Sequence, residues 1–595
     1  MKNFAGKPSS ILLLMLSVCY LSAQVTIKKF NWQDAGFKGS KPVYTQTINI
    51  LNTGGVNNGT GSNNQAFTAA VAQLNNKGGV IYFPPGVYNF TSSIAFTRDS
   101  ITLVGAGYQL THFRFNLGNS LSPCMNIAGS ESPTDTTSFL NPGIRDSSSV
   151  QVINAAAFNI GQWVYLQCND NSYMASTWAY GSLGQIMQIK SKSGNNLRFQ
   201  SPFRFYFKNS LQPKIKKINP RKAVGMECFS IQRAQATTGQ SSLISFDRAV
   251  QCWIHAIEGD STNFAHVEIN RSANISITNS YFHHAYAYGG GGQAYGVVFQ
   301  FSASECLVEN NIFRNLRHSI LFQAGANGNV CGYNYSFDPY WVQSFFPNNS
   351  AGDIVMHGNY PFANLCEGNI NQNTVIDDSH AKNGPYNTFF RNRSELYGLF
   401  MNTNPATDTC QFVGLEITNP GATLGLYSIA GNGHLQYSNN VKGTITPINT
   451  NTLQELSLYL VAPKKPACFN TTKHFWPIFG TPQPYNQNSN AAKDRATQVV
   501  WADCSQCTFV NTTGIAQPAN YSESLFVYPN PTQDRVKIKE TLNNASFFIY
   551  TIDGPLVFSG NKDETENYSK YLKPGVYLIK YTIEENSGNI KLIKY

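Results

Sequence analysis

The stretch Asn274-Ile275-Ser276-Ile277-Thr278-Asn279-Ser280-Tyr281-Phe282 alternates aliphatic and polar residues and ends in two aromatic rings. Related copies are Leu307-Val308-Glu309-Asn310-Asn311-Ile312-Phe313 and Thr388-Phe389-Phe390-Arg391-Asn392. Alternation with a period of two predicts short, half-buried strands. Copies that return every twenty-odd residues, with irregular insertions, predict stacked coils of strand rather than a sandwich of hairpins. A solenoid of this kind offers a long groove, and a groove suits a polymer.

The length of the chain indicates more than one domain, because 595 residues exceed what one compact core holds. Charged residues make up only 13% of the chain, and helix formers are scarce beside the many turn formers. This composition is typical of an all-β repeat with polar loops. The net charge of +10 is modest for the length, and no nucleic-acid recognition module is present. Nucleic acid is therefore not an expected partner.

Residues 1–23 have the pattern of a signal peptide. Lys2 and Lys7 flank the start of a short apolar run, and Leu21-Ser22-Ala23 offers a small-residue cleavage site. No later apolar run is long enough to span a bilayer. We therefore expect an exported protein without a transmembrane segment, and we expect it to be a monomer.

The cysteines after residue 23 number eleven and are widely spaced. Four of them fall in or beside strand copies, where we expect buried thiols in the solenoid core: Cys252, Cys306, Cys331 and Cys366. Cys504-Ser505-Gln506-Cys507 is either a small disulfide loop or half of a metal site. No second cysteine pair with matching histidine spacing follows, so a zinc module is not expected.

One basic stretch carries seven cations and no acidic residue between them: Arg204, Lys208, Lys214, Lys216, Lys217, Arg221 and Lys222. Two interpretations stay open. The stretch is either a solvated loop between coils or a patch that attracts a polyanion such as a uronate polysaccharide.

The start of the solenoid combines a helix with a tight turn. Residues 63–76 place apolar side chains at spacings of threes and fours, which predicts an amphipathic helix over the open end of the strand stack. Gly78-Gly79-Val80-Ile81-Tyr82-Phe83-Pro84-Pro85-Gly86-Val87-Tyr88 follows, and then Ser100-Ile101-Thr102-Leu103-Val104-Gly105-Ala106-Gly107. This arrangement resembles the entry to the pectin lyase-like, right-handed parallel β-helix family, over roughly residues 40–480. The resemblance implies the fold, but not one activity, because lyases, hydrolases and non-catalytic spikes share it.

The C-terminal 70 residues or so alternate in short strands separated by turn residues, which predicts a small β-sandwich. Leu525-Phe526-Val527-Tyr528-Pro529-Asn530-Pro531 opens this region, and Leu572-Lys573-Pro574-Gly575-Val576-Tyr577 comes near its end. The pattern resembles the C-terminal sorting domain of type IX secretion substrates in the Bacteroidota. That resemblance implies the type IX machinery as a partner, and a secreted or outer cell-surface location. The predicted organisation is signal peptide 1–23, β-helix 24–482, linker 483–524 and sorting β-sandwich 525–595.

The densest group of reactive side chains lies between residues 353 and 395. We predict the catalytic residues there, because acid, base and cation fall within about one coil of one another: His357, Asp377, Asp378, His380, Arg391 and Arg393. A second group is predicted to bind substrate, since rings stack on sugars and the neighbouring glycines let the backbone approach: His283, His284 and Tyr286, with Lys382 from the first group. Arg314, Arg317 and His318 flank a strand and face either the same groove or solvent.

Two chemistries need such a set. Uronate β-elimination requires a base and a cation that neutralises the substrate carboxylate, and calcium held by Asp377 and Asp378 is one candidate for that cation. Glycoside hydrolysis instead requires two carboxyl groups on either side of the bond. The predicted function is a secreted polysaccharide-degrading enzyme, either uronate lyase or glycoside hydrolase. The alternative is a non-catalytic, glycan-binding or adhesive surface solenoid.

Overall fold

The structure is a computed structural model. It describes residues 26–342, 352–377, 380–401, 407–461, 466, 468–469, 473–474, 476–480, 487–508, 527–528, 535–538, 542–551, 556–583 and 586–594. The predicted signal peptide and Asp378 lie outside these residues. The chain divides into two compact units, Met1–Val510 and Asn511–Tyr595. In the part of the chain that is described, no helix combines the length and the apolar character needed to cross a membrane.

The first unit is a right-handed parallel β-helix, as predicted. One face of each coil joins a twelve-stranded parallel sheet, called sheet A here: Thr47–Asn49, Gly79–Phe83, Ile101–Gly105, Gly225–Glu227, Trp253–His255, Ser276–Thr278, Leu307–Glu309, Val330–Gly332, Leu365–Glu367, Thr388–Phe390, Gln411–Val413 and Leu435–Tyr437. Each strand takes its register from the one a coil earlier, so Ile254, Ile277 and Val308 align in one inward column.

Two further faces complete each coil. Sheet B contains Asn58–Ser62, Gly86–Phe90, Thr111–Phe115, Ser230–Arg233, Glu258–Thr262, Tyr281–Ala285, Ile312–Arg314, Tyr335–Phe337, Glu416–Ile417, Asn439–Val441 and the antiparallel Thr444–Thr446. Sheet C contains Ile94–Ala95, Met125–Ala128, Ile244–Asp247, Ala265–Asn270, Tyr295–Gln300, His318–Phe322, Ile354–Met356 and Leu426–Ser428. Ile370–Ile376 and Arg393–Met401 run through both faces. A short parallel pair, Arg221–Lys222 with Ala249–Val250, lies beside them.

The interior of the solenoid is a stack of apolar side chains. Cys331 and Cys366 are in register within the inward column of sheet A and are fully buried. Cys252 and Cys306 are also buried, so the predicted core thiols lie in the interior. Phenylalanine rings stack between neighbouring coils, such as Phe299 on Phe322 with centroids 4.9 Å apart. Burying this apolar surface is the main source of stability for the solenoid.

The helix Asn64–Gln73 covers the first coil, as predicted. Its side chains Phe67, Ala70 and Val71 are buried in the same core that fills the solenoid. Thus the end of the strand stack is sealed by an apolar helix face. Short 3-10 turns lie at Trp32–Asp34, Ile50–Thr53, Thr177–Ala179, Asn209–Leu211 and Cys504–Gln506.

A six-stranded antiparallel sheet is inserted between two early coils. Its strands are Ser130–Ser138, Ser149–Gln151, Trp163–Gln167, Gln185–Ser193, Asn196–Phe199 and Lys214–Asn219. The last strand carries part of the basic stretch, which is therefore not a loop. Lys216 pairs with Glu131 at 2.8 Å and Lys217 with Asp135 at 2.9 Å. These partners from distant sequence reduce the positive charge that a polyanion patch would need.

The outer face of sheet A is covered by the chain itself. Residues 26–46 lie along it, where Lys41 pairs with Glu227 at 2.8 Å and the Phe37 ring contacts Trp253 with centroids 5.0 Å apart. Farther along, the Tyr459 hydroxyl donates to Glu309 at 2.5 Å. Because carboxylates of this face hold the covering segments, the exposed sites of the solenoid must be sought on sheets B and C.

A return segment, residues 487–508, runs back along the edge of the solenoid and contains the helix Ala491–Thr497. Asn490 Nδ2 donates to Asn334 O at 3.0 Å, and the Trp501 ring stacks on Tyr281 with centroids 4.8 Å apart. Cys507 forms a disulfide with Cys228. This pairing corrects the predicted local loop, because Cys507 is linked to a coil 279 residues away rather than to Cys504. The segment that we predicted as part of a linker is packed on the first unit.

The second unit contains a four-stranded antiparallel sheet: Ser546–Thr551, Leu556–Gly560, Gly575–Ile583 and Asn586–Lys594. Val527–Tyr528 and Lys537–Ile538 form a separate antiparallel pair. A helix that the sequence analysis did not predict, Lys562–Ser569, begins with a capping box in which Asn561 and Glu564 satisfy each other's backbone amides. The buried core of the second unit includes Phe547, Ile549 and Ile579.

Candidate functional site

A chain of ring contacts runs across the outer side of sheet C. The Tyr295 ring lies 5.1 Å from His318, His318 lies 5.9 Å from His357, and His357 stacks on His380 at 4.9 Å, all between centroids. The four residues come from four successive coils, since the strands of Tyr295 and His318 are adjacent and His357 and His380 follow in the next two turns. We call these four residues the histidine cluster.

Burial sets the charge state of the histidine cluster. Tyr295, His318 and His357 are only 3%, 6% and 9% exposed, whereas His380 is exposed. Desolvation lowers the pKa of His318 well below its ordinary value, and it lowers the pKa of His357 although the Asp377 carboxylate acts in the opposite direction. His357 is therefore a neutral imidazole at neutral pH, which is the form that accepts a proton.

Asp377 lies beside His357 because their strands are in register. Met356 pairs with Ile376, so the next residue of each strand shares one outward position, and Asp377 Oδ2 lies 3.6 Å from His357 Nε2. Among the described residues, no group hydrogen-bonds Nδ1 of the buried His357. The imidazole thus has one nitrogen near a carboxylate and one that is buried without a hydrogen bond to any described residue.

The turn after His357 allows the stack with His380. Gly358 has a φ of +71°, and a Cβ at this position would lie 2.5 Å from the His380 carbonyl oxygen. Only glycine accommodates both the left-handed backbone and this close approach. Asn383 fixes the same turn, because its Oδ1 accepts the Gly358 N–H at 2.8 Å and its Nδ2 donates to Asp377 O at 3.3 Å.

The two arginines of the predicted catalytic set contact the covering segments instead. Arg391 is 4% exposed and donates from Nε to Glu455 O at 3.1 Å. Arg393 pairs with the buried Glu416 at 2.6 Å and stacks over the Phe479 ring at 4.3 Å. No described contact joins either guanidinium to the histidine cluster, so we do not carry these two residues into the candidate site. We predicted that these arginines meet the acid and the base in one groove; the structure places them against the covering segments instead.

Two other predicted residues have limited bearing on this site. Lys382 is half exposed and pairs with Asp408 at 3.2 Å, close in sequence to His380. Asp378 lies outside the described residues. Of the two predicted calcium ligands, the structure therefore describes only Asp377. A carboxylate oxygen is a suitable calcium ligand. Calcium binding at this site therefore remains a prediction.

A second cluster lies on sheet B and includes the other predicted group. His283 Nε2 lies 3.2 Å from Glu258 Oε1, and His283 Nδ1 lies 3.7 Å from Asp260 Oδ1. The Nδ1 atoms of His283 and His284 are 2.6 Å apart. Tyr286 lies close by in the chain and donates from its hydroxyl to Arg233 O at 2.5 Å. The structure thus brings His283 and His284 together with two carboxylates.

The sequence analysis missed Tyr295, Glu258 and Asp260, and treated His318 only as a flanking residue. Each joins its cluster through the register between coils, because Asp260 pairs with His283 and Tyr295 with His318. An approximate repeat length does not fix that register when insertions interrupt the coils. Aligning the strand copies of successive coils residue by residue would have revealed these four residues.

Comparison with protein families gives two matches. Residues 47–145 match the family described as rhamnogalacturonase A/epimerase, pectate lyase-like. Residues 526–595 match the secretion system C-terminal sorting domain. The sorting domain indicates secretion or attachment to the cell surface. No curated protein sequence matches the chain at a significant level.

Several solved structures are similar in fold at low sequence identity. The tailspike gp61 of Pseudomonas phage phi297 is 13% identical, with a TM-score of 0.45 over 66% of this chain and 76% of that one. The tailspike gp49 of Pseudomonas phage LKA1 is 13% identical, with a TM-score of 0.41 over 66% and 77%. An exopolygalacturonase from Thermotoga maritima is 10% identical, with a TM-score of 0.36 over 64% and 83%.

Proposed function

We propose that this pectate lyase-like β-helix protein, which ends in a type IX sorting domain, is a secreted polysaccharide-degrading enzyme with its acid–base site at His357, Asp377 and His380. The observation that carries the proposal is the stack of the neutral, buried His357 on the exposed His380, with Asp377 3.6 Å from the first ring. One imidazole is held in the proton-accepting form, while its neighbour is exposed to solvent. Such a pair is suited to general acid–base catalysis.

Of the two predicted chemistries, we favour elimination from a uronate. Asp377 is the carboxylate that the described contacts place against the histidine cluster, whereas hydrolysis requires two carboxyl groups flanking the bond. Arg317 contributes positive charge, since its guanidinium lies 5.9 Å from the centroid of the Tyr295 ring and opposes protonation of His357. In this scheme His357 removes the proton next to the substrate carboxylate, and His380 protonates the departing glycosidic oxygen.

The test is an assay of the full exported chain on a panel of acidic and neutral polysaccharides. Ultraviolet absorbance of unsaturated uronate ends indicates a lyase, and new reducing ends without that absorbance indicate a hydrolase. His357→Ala and His380→Ala are each expected to lower kcat by about 100-fold or more, as loss of a general acid or base does. His434→Gln is the matched control, because His434 makes no described contact with either cluster and accepts the Cys410 N–H at 3.1 Å. Full activity in both alanine variants would refute the site.

The alternative is a non-catalytic glycan-binding or adhesive solenoid. The burial of Tyr295, His318 and His357 favours it, since a cluster that substrate cannot reach serves packing alone. Saturable polysaccharide binding with neither unsaturated nor reducing ends, at any pH between 5 and 9, would establish this second function in place of the first.

A further inference from the structure

We infer that His283, His284 and Asp260 on sheet B form a binding site for a divalent first-row transition metal, with Zn²⁺ as the reference ion. One ligand atom from each residue is available, and these atoms all lie within 4.8 Å of one another. Two imidazole nitrogens and one carboxylate oxygen form a ligand set typical of zinc and of related metals, rather than of calcium. This inference is independent of the histidine cluster on sheet C.

Glu258 fixes the tautomer of His283. The Nε2 atom of His283 lies 3.2 Å from Glu258 Oε1, so a neutral ring donates its Nε2–H to that carboxylate. The lone pair of His283 is then on Nδ1, the atom that faces Asp260 and His284. Metal-binding histidines commonly donate their other N–H to a carboxylate in this way, because the contact orients the ring and raises its basicity.

The short distance between His283 and His284 follows from the same tautomer of His283. With Nδ1 of His283 unprotonated, the 2.6 Å contact requires a proton on Nδ1 of His284. A metal ion replaces that proton once His284 changes to the Nε2–H tautomer. This change is inexpensive because the His284 side chain is exposed and Nε2–H can be hydrated.

Asp260 is held so that one oxygen faces the histidines. Gln232 Nε2 donates to Asp260 Oδ2 at 3.0 Å, and the Ser261 hydroxyl donates to Oδ1 at 2.8 Å. Gln232 and Asp260 are paired residues on neighbouring strands of sheet B, so the orienting contact comes from the solenoid register. The carboxylate therefore needs little reorganisation to bind a metal through Oδ1.

The backbone supports the position of His284. His284 has a φ of +59°, and the turns of neighbouring coils repeat this geometry at Ser261, Asn315 and Asp338, with φ values of 54°, 50° and 50°. The left-handed residue is thus a regular feature of this corner of the solenoid. The buried His266 donates from Nε2 to the His284 carbonyl oxygen at 3.1 Å and fixes it further.

The surrounding charges permit a cation at this point. Glu258 and Asp260 supply two carboxylates, and Arg314, which is in register with His283 on the next coil, is paired with Asp338 at 3.0 Å. Asp260 and His283 are 36% and 12% exposed at the side chain, so a metal here keeps open coordination positions for water or for an anionic ligand.

Isothermal titration of the full exported chain with ZnCl2, under non-reducing conditions at pH 7.5, tests the inference. We expect one saturable site, with affinity lowered about 10-fold or more in each of His283→Gln, His284→Gln and Asp260→Asn. Glu258→Gln is expected to lower affinity by about 10-fold, as loss of an outer-shell carboxylate does. Asp146→Asn is the matched control, because it removes an exposed carboxylate, paired with Lys28 at 2.6 Å, that makes no described contact with the proposed ligands.

The outcomes separate this site from a second group of sulfur atoms in the described residues, those of Cys228, Cys504 and Cys507, which bind a metal only when the disulfide between Cys228 and Cys507 is reduced. Loss of zinc binding in Cys504→Ser, with full binding in the histidine variants, would overturn the assignment. Absence of saturable binding in the unmodified chain would overturn it as well. Melting temperatures measured without zinc verify that the variants are folded, and zinc should raise the melting temperature of Asp146→Asn but not of His284→Gln.

Discussion

Asn334 donates from its side-chain Nδ2 to Oδ1 of Asn369, 2.9 Å away in the next coil. The same oxygen accepts the Asn334 backbone N–H at 3.0 Å, and Asn369 Nδ2 continues to Asn392 Oδ1 at 2.8 Å. Asn311 precedes them in the same ladder. The asparagine in the repeated sequence is therefore a structural residue, which satisfies backbone groups at a buried corner.

We expect Asn369→Ala to destabilise the first unit strongly. The change leaves the Asn334 N–H and the Cys331 carbonyl oxygen buried without their partner, and each such group costs about 1 to 3 kcal/mol. Denaturant unfolding followed by circular dichroism measures the loss. Asn432→Ala, at an exposed position, is the control and should unfold at the same denaturant concentration as the unmodified chain. Equal midpoints for both variants would show that the ladder contributes no stability.

Arg393→Ala is expected to cost about 3 to 5 kcal/mol, because it leaves the buried Glu416 without its cation. Arg314→Ala removes an arginine from a surface pair with Asp338 and should cost less than about 1 kcal/mol. The unfolding midpoints of the two variants give the comparison. Similar midpoints for the two would contradict the structural role that we assign to Arg393.

The disulfide between Cys228 and Cys507 is expected to stabilise the return segment on the solenoid. Cys507→Ser should lower the free energy of unfolding by about 2 to 4 kcal/mol, because a long loop is no longer closed in the unfolded chain. Protease digestion should then cut near Trp501 sooner than in the unmodified chain. Cys504→Ala keeps the disulfide and should retain the original cleavage rate; equally fast cleavage in both variants would argue against this pairing.

The pH dependence of catalysis follows from the lowered pKa of His357. Since burial favours the neutral ring, kcat/KM should stay high as the pH falls through 6.5 and should decline only at lower pH. Asp377→Asn removes the charge that raises this pKa, so the acid limb should move to still lower pH. A pH profile of the two enzymes measures both effects. An acid limb centred on 6.5, unmoved by Asp377→Asn, would exclude His357 as the base.

The solenoid was predictable because its signals are local. Alternation within the stretch from Asn274 to Phe282 indicates strands, the apolar spacing over residues 63–76 indicates the capping helix, and both are present. The insertion of residues 130–219 was not foreseen as a separate antiparallel sheet. Its strands pair over separations of up to about ninety residues, as Asn219 with Ser130, and no local pattern specifies such pairs.

The candidate sites were predictable in residue type but not in grouping. His357, Asp377 and His380 meet as expected, whereas Arg391 and Arg393 contact segments near residues 455 and 479. A coil turns the chain through three faces, so a shift of one or two residues moves a side chain to another face or into the core. Because the loops between strands differ in length, the spacing of residues in the sequence does not reveal that shift.

The sequence by itself determined a capped parallel β-helix that carries a sorting domain, because hydrophobic period, turn residues and motif order are properties of short segments. Only the tertiary structure decided which surfaces stay open. Sheet A is covered by residues 26–46, a contact between segments as distant as Lys41 and Glu227. It also decided that His283 meets Asp260 and that His357 meets Asp377, because parallel register brings one outward position of successive coils together.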